Sequence, residues 1–153
     1  MTSQSASPAF GGITLRTARA VVDLGIGSTV GDTGRLRCLK LLSAPIGLLA
    51  LPGRYALQKH MRLQDLDRLP LLKEPADTSI AQALAARGSD VVAWMSHGTE
   101  VSSLAMQLAL AQAGVGVAVV SALGASHAGA KGLAFVPLRP TVERSVYLMQ
   151  NRS

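Results

Sequence analysis

The stretch Val115-Gly-Val-Ala-Val-Val120 constrains this chain more than any other. Six residues pass without a polar side chain, so a strand built from them has no face to offer water. Such strands belong in sheets covered on both sides, which is the situation of parallel sheets flanked by helices. The residues before it agree. Val101, Leu104, Ala105, Leu108 and Ala111 recur at helical spacing, and a stripe of that period lets a helix cover one face of a sheet. Gly114 follows as a helix stop.

Working outward from this unit gives an alternating order. Leu69–Lys73 reads as a short strand. Ser79 stands where an N-cap belongs, because its hydroxyl can accept a free backbone N–H. Ile80–Arg87 follows as a helix halted by Gly88, and Asp90–Met95 reads as the next strand. Thr99 then supplies a capping hydroxyl and Glu100 an acid near the positive end of the next helix. Leu133–Leu138 and Arg144–Met149 close the set. Strand, helix, strand, helix, strand and two closing strands make an α/β fold. Its loops and helix N-termini gather at one sheet edge, where open α/β sheets bind small molecules.

The first half is less regular. Residues 1–12 are small and polar and read as a disordered lead. Residues 13–20 suit a short helix. Val21–Ile26 reads as a buried strand with Gly27–Gly31 as the loop beyond it. Leu36–Leu42 fits either strand or helix. Ile46–Leu51 reads as a separate strand ended by Pro52-Gly53, and Asp65 and Asp67 fall in a solvated connection.

Composition narrows the function. One Trp, two Tyr and two Phe leave the core to aliphatic side chains. The net charge is +6, and residues 1–75 hold ten Lys/Arg against five Asp/Glu. These cations are scattered, with almost no aromatic interleaving, so a nucleic-acid groove is not indicated and a solvated basic face is the simpler account. Cys38 stands alone, which leaves no internal disulfide and no cysteine metal cluster. With no basic and apolar leader at the start, the reading is a cytoplasmic protein. The longest apolar stretch, Leu41–Pro52, is broken by Pro45 and Gly47 and is too short to span a membrane.

Catalytic patterns do not assemble. Gly25-Ile-Gly-Ser-Thr-Val-Gly31 follows a strand, but no amphipathic helix follows at once, so a dinucleotide loop is a poor account. His97 and Glu100 are too few for zinc. Ser121, Ser126 and His127 fit no nucleophile elbow. Trp94 reads as a packing residue.

Several stretches, taken together and in order, carry a resemblance. Val22-Asp-Leu-Gly-Ile-Gly27 looks like a Leu-Asp-Leu-Ala-Ile strand. Residues 46–57 look like a strand ending in a His-Pro-Leu turn, and Leu63-Gln-Asp-Leu-Asp-Arg-Leu-Pro-Leu-Leu72 like a Leu-X-Asp-Leu entry to a second lobe. Ala113-Gly-Val-Gly-Val-Ala118 looks like an Ala-Gly-Leu-Gly-Ile-Ala strand entry. The tail 136–148 matches a closing pair of strands, and Ser121 stands where a Pro is common. Over about 130 residues the chain resembles the effector-binding region of LysR-type transcriptional regulators, without their winged helix-turn-helix.

That resemblance implies a periplasmic-binding-protein-like type II fold. Residues 13–67 would form a partial first lobe lacking one strand–helix–strand, 68–135 a complete βαβ second lobe, and 136–153 closing strands returning toward the first. It implies a non-catalytic domain in which a small, often anionic metabolite seats between the lobes and shifts the conformation of a regulator. The first lobe would line the cleft with Gly27, Ser28 and Thr29. The second would supply Asp77, Thr78 and Ser79 before its first helix and Thr99 before its second. No cofactor, metal, membrane contact or sequence-specific DNA contact is implied, whereas self-association or pairing with regulator subunits is. The missing elements predict an open strand edge near Val21–Ile26 and uncovered apolar surface near Ile46–Leu51. The other readings kept are a solute-binding protein of the same fold, a small α/β enzyme, and an interfering fragment that pairs with regulators without a ligand.

Overall fold

Residues 24–28, 34 and 36–151 are described by the computed structural model of the chain. A short strand, β1 (Leu24–Gly27), precedes one uninterrupted strand of 15 residues, β2 (Leu36–Ala50). Sequence periodicity divides this segment in two because it lies in two environments. Its first part, Leu36–Pro45, pairs antiparallel with the last strand, β8 (Glu143–Asn151). Its second part, Ile46–Ala50, lies between β6 (Val117–Ser121) and β7 (Ala134–Arg139), antiparallel to both. Pro45, which has no N–H to give a ladder, sits at the transfer point, and Ile46 N donates to Val142 O at 2.7 Å.

The chain therefore has two parts that share β2. The ribbon is a three-stranded antiparallel sheet in the order β1–β8–β2. The body is a mixed sheet in which β3 (Met61–Arg62) pairs with β7 and β7 with β2. Beyond β2 it continues through β6 and β4 (Leu71–Lys73) to β5 (Thr99–Glu100). β4, β5 and β6 are parallel, as the apolar run in β6 requires; all five of its residues are buried.

Successive residues of the body strands go to opposite cores. Leu48 and Leu71 pack on one side with Leu84 of α1 (Ser79–Ala85) and Val91 of α2 (Ser89–Met95). Leu49 and Leu72 pack on the other side with Leu108 and Ala111 of α3 (Leu104–Gln112). Each fully buried leucine contributes roughly 1.5–3 kcal/mol of transfer free energy. Gly47 is required by close approach, since a Cβ there would lie 2.4 Å from Val136 O. A short helix, α4 (Ala122–Ala125), follows β6.

The ribbon is covered differently. Cross-strand partners share a face, and the pairs Leu24–Gln150, Ile26–Leu148, Leu39–Leu148 and Leu42–Val146 place the exposed Leu24, Ile26, Leu39 and Leu42 on one face. A bulge at Leu41 carries this face past Lys40; the extra residue leaves the alternation otherwise intact.

Several expectations are corrected. Asp90–Met95 is helical: Val91 and Met95, four apart, are buried while Val92 is exposed. Burial at the helical period overrides the β preference of the valine pair. The strand expected there falls instead at Thr99–Glu100, so Thr99 caps no helix; α3 begins at Leu104, and Ser103 accepts from Met106 N at 3.2 Å. Ala105 is exposed and Gln107 takes its place on the buried face. The cap of α1 is Thr78, which accepts from Ala81 N, and Ser79 is the first helical residue. Gly27 ends β1 rather than opening the loop. Asp65 is buried and accepts from Arg62 N at 2.8 Å. Burial pushes its carboxyl up, but that bond and the Arg62 and Arg68 cations hold it below the usual range. The uncovered apolar surface lies at Leu24, Ile26 and Leu39–Leu42, whereas Ile46–Ala50 is buried. The lead and helix expected over residues 1–20, and residues 21–23 of the first expected strand, lie outside the described residues.

Candidate functional site

The ribbon meets the body beside the N-terminal end of β8, and the side chains there form one polar junction. Arg144 Nε donates to Ser28 Oγ at 2.7 Å. Ser28 Oγ donates in turn to Ser145 O at 2.7 Å, and the Ser43 and Ser145 hydroxyls lie 3.0 Å apart. Each serine comes from a different strand or strand end, because β1, β8 and β2 are adjacent here.

Two cavities open on either side of Arg144. The larger, of about 290 Å³, lies between ribbon and body and is lined by Ser28, Glu143, Arg144 and Tyr147 on one side and Ser79 and Gln82 of α1 on the other. The smaller, of about 140 Å³, reaches into the body between Glu74, Leu104, Gln107, Ser121, Gly124 and Arg144. Glu74 directly follows β4 and Ser121 ends β6, so this cavity sits at the carboxyl ends of parallel strands, the usual binding edge of an open α/β sheet.

The walls of the smaller cavity include three buried polar side chains. Gln107 is fully buried, and its Nε2 donates to Leu72 O at 3.1 Å and Val119 O at 3.3 Å. Those two carbonyls fix the amide, leaving Oε1 as an acceptor with no protein partner. Ser121 Oγ, also buried, has none either. Leaving such a buried group unpaired costs about 1–3 kcal/mol, so both atoms favour a polar molecule in the cavity. Glu74 is buried as well. Burial lifts its carboxyl to about 7, against the opposing pull of the Arg144 cation.

Of the residues singled out from sequence, the structure brings Ser28 and Ser79 to the same cavity. Gly27 is half-buried at the end of β1, opposite Tyr147. Thr29 lies outside the described residues. Thr78 is fully buried with its hydroxyl spent on the α1 cap. Asp77 is exposed in the turn before α1, and Thr99 is exposed on β5 opposite Leu72; neither lines either cavity. Glu74, Gln107, Ser121 and Arg144 were not singled out as binding residues. The available signals were a lone amide on the apolar stripe of α3 and a serine closing an otherwise apolar strand.

Other polar groups are structural. His97 Nε2 lies 2.7 Å from Leu69 O, and His127 Nδ1 accepts from Gly129 N at 2.9 Å. Among the described residues no three His, Cys, Asp or Glu side chains gather to hold a metal ion, and no helix is long and apolar enough to cross a membrane.

A family model described as LysR substrate binding domain matches residues 14–153. No curated protein matches the sequence. Among solved structures, the reduced form of OxyR from N. meningitidis superposes with a TM-score of 0.72 at 16% identity over 92% of this chain and 68% of that one. The Synechocystis PCC6803 CcmR regulatory domain in complex with 2-PG gives 0.73 at 16% identity over 94% and 70%. The BenM effector binding domain with its effector benzoate gives 0.71 at 20% identity over 92% and 65%. Against full-length BenM (E226K), the chain spans 48% of the length.

Proposed function

The chain belongs to the LysR substrate-binding-domain family, and on that premise we propose that it is a non-catalytic sensing module in which a small anionic effector seats between ribbon and body. The observation that carries this reading is the junction at Arg144. Arg144 and its bonded partner Ser28 both belong to the ribbon, and the same Arg144 lines the smaller cavity with the body residues Glu74, Gln107 and Ser121, so a ligand that engages it there touches both parts at once. A ligand can shift a conformational equilibrium only by its differential affinity for the two states, and a group bridging two parts supplies that difference.

The site residues in this reading are Ser28, Ser79 and Arg144 in the larger cavity, with Thr29, the next residue in the sequence after Ser28, as a further candidate. Thr78 acts by holding the first turn of α1 rather than by touching the ligand. Asp77 and Thr99 have no part in it. The lobes expected at 13–67, 68–135 and 136–153 would then be redrawn along the sheets, the ribbon of β1, Leu36–Pro45 and β8 moving against a body that includes Ile46–Ala50 and β3. The resemblance extends the proposal to a cytoplasmic regulator whose subunits associate, the exposed face at Leu24, Ile26, Leu39 and Leu42 being the natural surface for that. The Synechocystis domain above is in complex with 2-PG and the BenM domain with its effector benzoate; benzoate is a small carboxylate, which agrees with an anion-binding role here.

Thermal denaturation with a panel of small carboxylates and phosphorylated acids tests this. A bound effector at 100 times its dissociation constant adds about 2.7 kcal/mol of stability, and Arg144→Gln should abolish the shift while the chain stays folded. A panel that moves neither protein would refute an effector site.

A further inference from the structure

The two unpartnered polar atoms of the smaller cavity specify the chemistry of what enters it. Gln107 Oε1 is held as an acceptor, because its amide nitrogen is committed to two backbone carbonyls. Ser121 Oγ, in the same cavity, has an O–H to give. A group that fits both must donate to Gln107 Oε1 and pair with a Ser121 hydroxyl that can give or accept, which a hydroxyl does without adding charge. An ammonium donates only, and would place a second cation beside Arg144. At the same cavity's border Arg144 offers charge: its Nε is spent on Ser28, and its Nη atoms make no bond among the described residues. The size is limiting too. A cavity of ~150 Å³ admits benzene, so about 140 Å³ takes a molecule of roughly six non-hydrogen atoms.

Resting on the effector-site reading above, we propose that the smaller cavity selects a short-chain hydroxy carboxylate, its hydroxyl donating to Gln107 Oε1 and accepting from Ser121 Oγ while its carboxylate faces Arg144. Gln107 and Ser121 are then the specificity-determining residues. Glu74 completes the pocket. With a second carboxylate close by, its burial favours the protonated acid, which adds a donor for the ligand carboxylate rather than a repelling charge.

Calorimetric titration of the full chain with L-lactate, L-alanine and propionate tests the proposal, since the three are of similar size and differ at one position. Lactate is expected to bind at least about tenfold more tightly than propionate or alanine, because a site built around a hydroxyl rejects the analogue that leaves its buried groups unpaired. Ser121→Ala removes a hydroxyl with no protein partner, so the ligand-free melting temperature should hold or rise while lactate affinity falls about tenfold. Propionate or alanine binding as tightly as lactate, or Ser121→Ala leaving lactate affinity unchanged, overturns the hydroxyl assignment and leaves the effector site standing. Benzoate binding with none of the three doing so has the same meaning. If no carboxylate binds, the effector-site reading falls with it.

Discussion

In the body, β2 has a strand on each edge and apolar packing over each face; in the ribbon the same strand has one neighbour among the described residues, and Leu39, Leu41 and Leu42 are exposed. Leucine is the commonest residue in both halves, although only the ribbon half carries charged and polar side chains, Arg37, Lys40 and Ser43. What separates them is the number of layers around the strand. Enclosure follows that difference in sequence, and the proposed effector site lies where the enclosed part meets the open one.

The largest effect should come from amide hydrogen exchange. Amides of Ile46–Ala50 and Val117–Ser121 are expected to exchange on the order of 100-fold or more slowly than those of β1 and Leu36–Leu42, since sparsely packed segments open locally. Equal protection in both halves would break the contrast. Mutation sharpens it. Leu48→Ala should cost about 2–5 kcal/mol in denaturant unfolding, the range for a fully enclosed leucine. Leu39→Ala should fall within about 0.5 kcal/mol, as substitutions away from buried features do.

The junction between the halves is expected to respond to pH. Glu74 has a folded-state pKa of about 7 against 4.5 for the free side chain, so the folded chain holds a proton that the unfolded chain has lost. Its contribution is complete below about pH 4.5 and is lost as the pH rises through about 7. The ceiling is on the order of 3 kcal/mol, at about 1.4 kcal/mol per pKa unit. Glu74→Gln should flatten the stability profile in that window, measured by denaturant midpoints between pH 4.5 and 8. The smallest effect concerns α1. Thr78→Ala should cost about 1 kcal/mol through the lost cap, and Ser79→Ala less than about 0.5 kcal/mol without ligand; thermal denaturation distinguishes them.

Much of the body was legible in the sequence because its strands and helices obey their own periods. The run at Val115–Val120, the stop at Gly114 and the two closing strands all emerge from local pattern. Asp90–Met95 reads as a strand because two adjacent valines favour one by propensity, while the period of burial, Val91 then Met95, appears only once α2 has a core to face. β2 was divided because Pro45 and Gly47 punctuate it, and no local signal tells that a proline lies where a strand changes partners. In the site, Ser28 and Ser79 were reachable from the loop and helix starts. Glu74, Gln107 and Arg144 converge from three elements far apart in the chain, and their meeting is a product of topology alone.

The shared strand also sets a timetable. During synthesis Ile46–Ala50 emerges early, yet its ladder partners are Ala118–Ser121 and Ala134–Pro137. At about 5–20 residues per second, the most apolar segment of the first half waits several seconds for its neighbours. Meanwhile both its edges are open to other chains, the condition that favours aggregation. Nascent-chain yield should therefore depend on chaperone supply until β6 has left the ribosome and the central ladder can close.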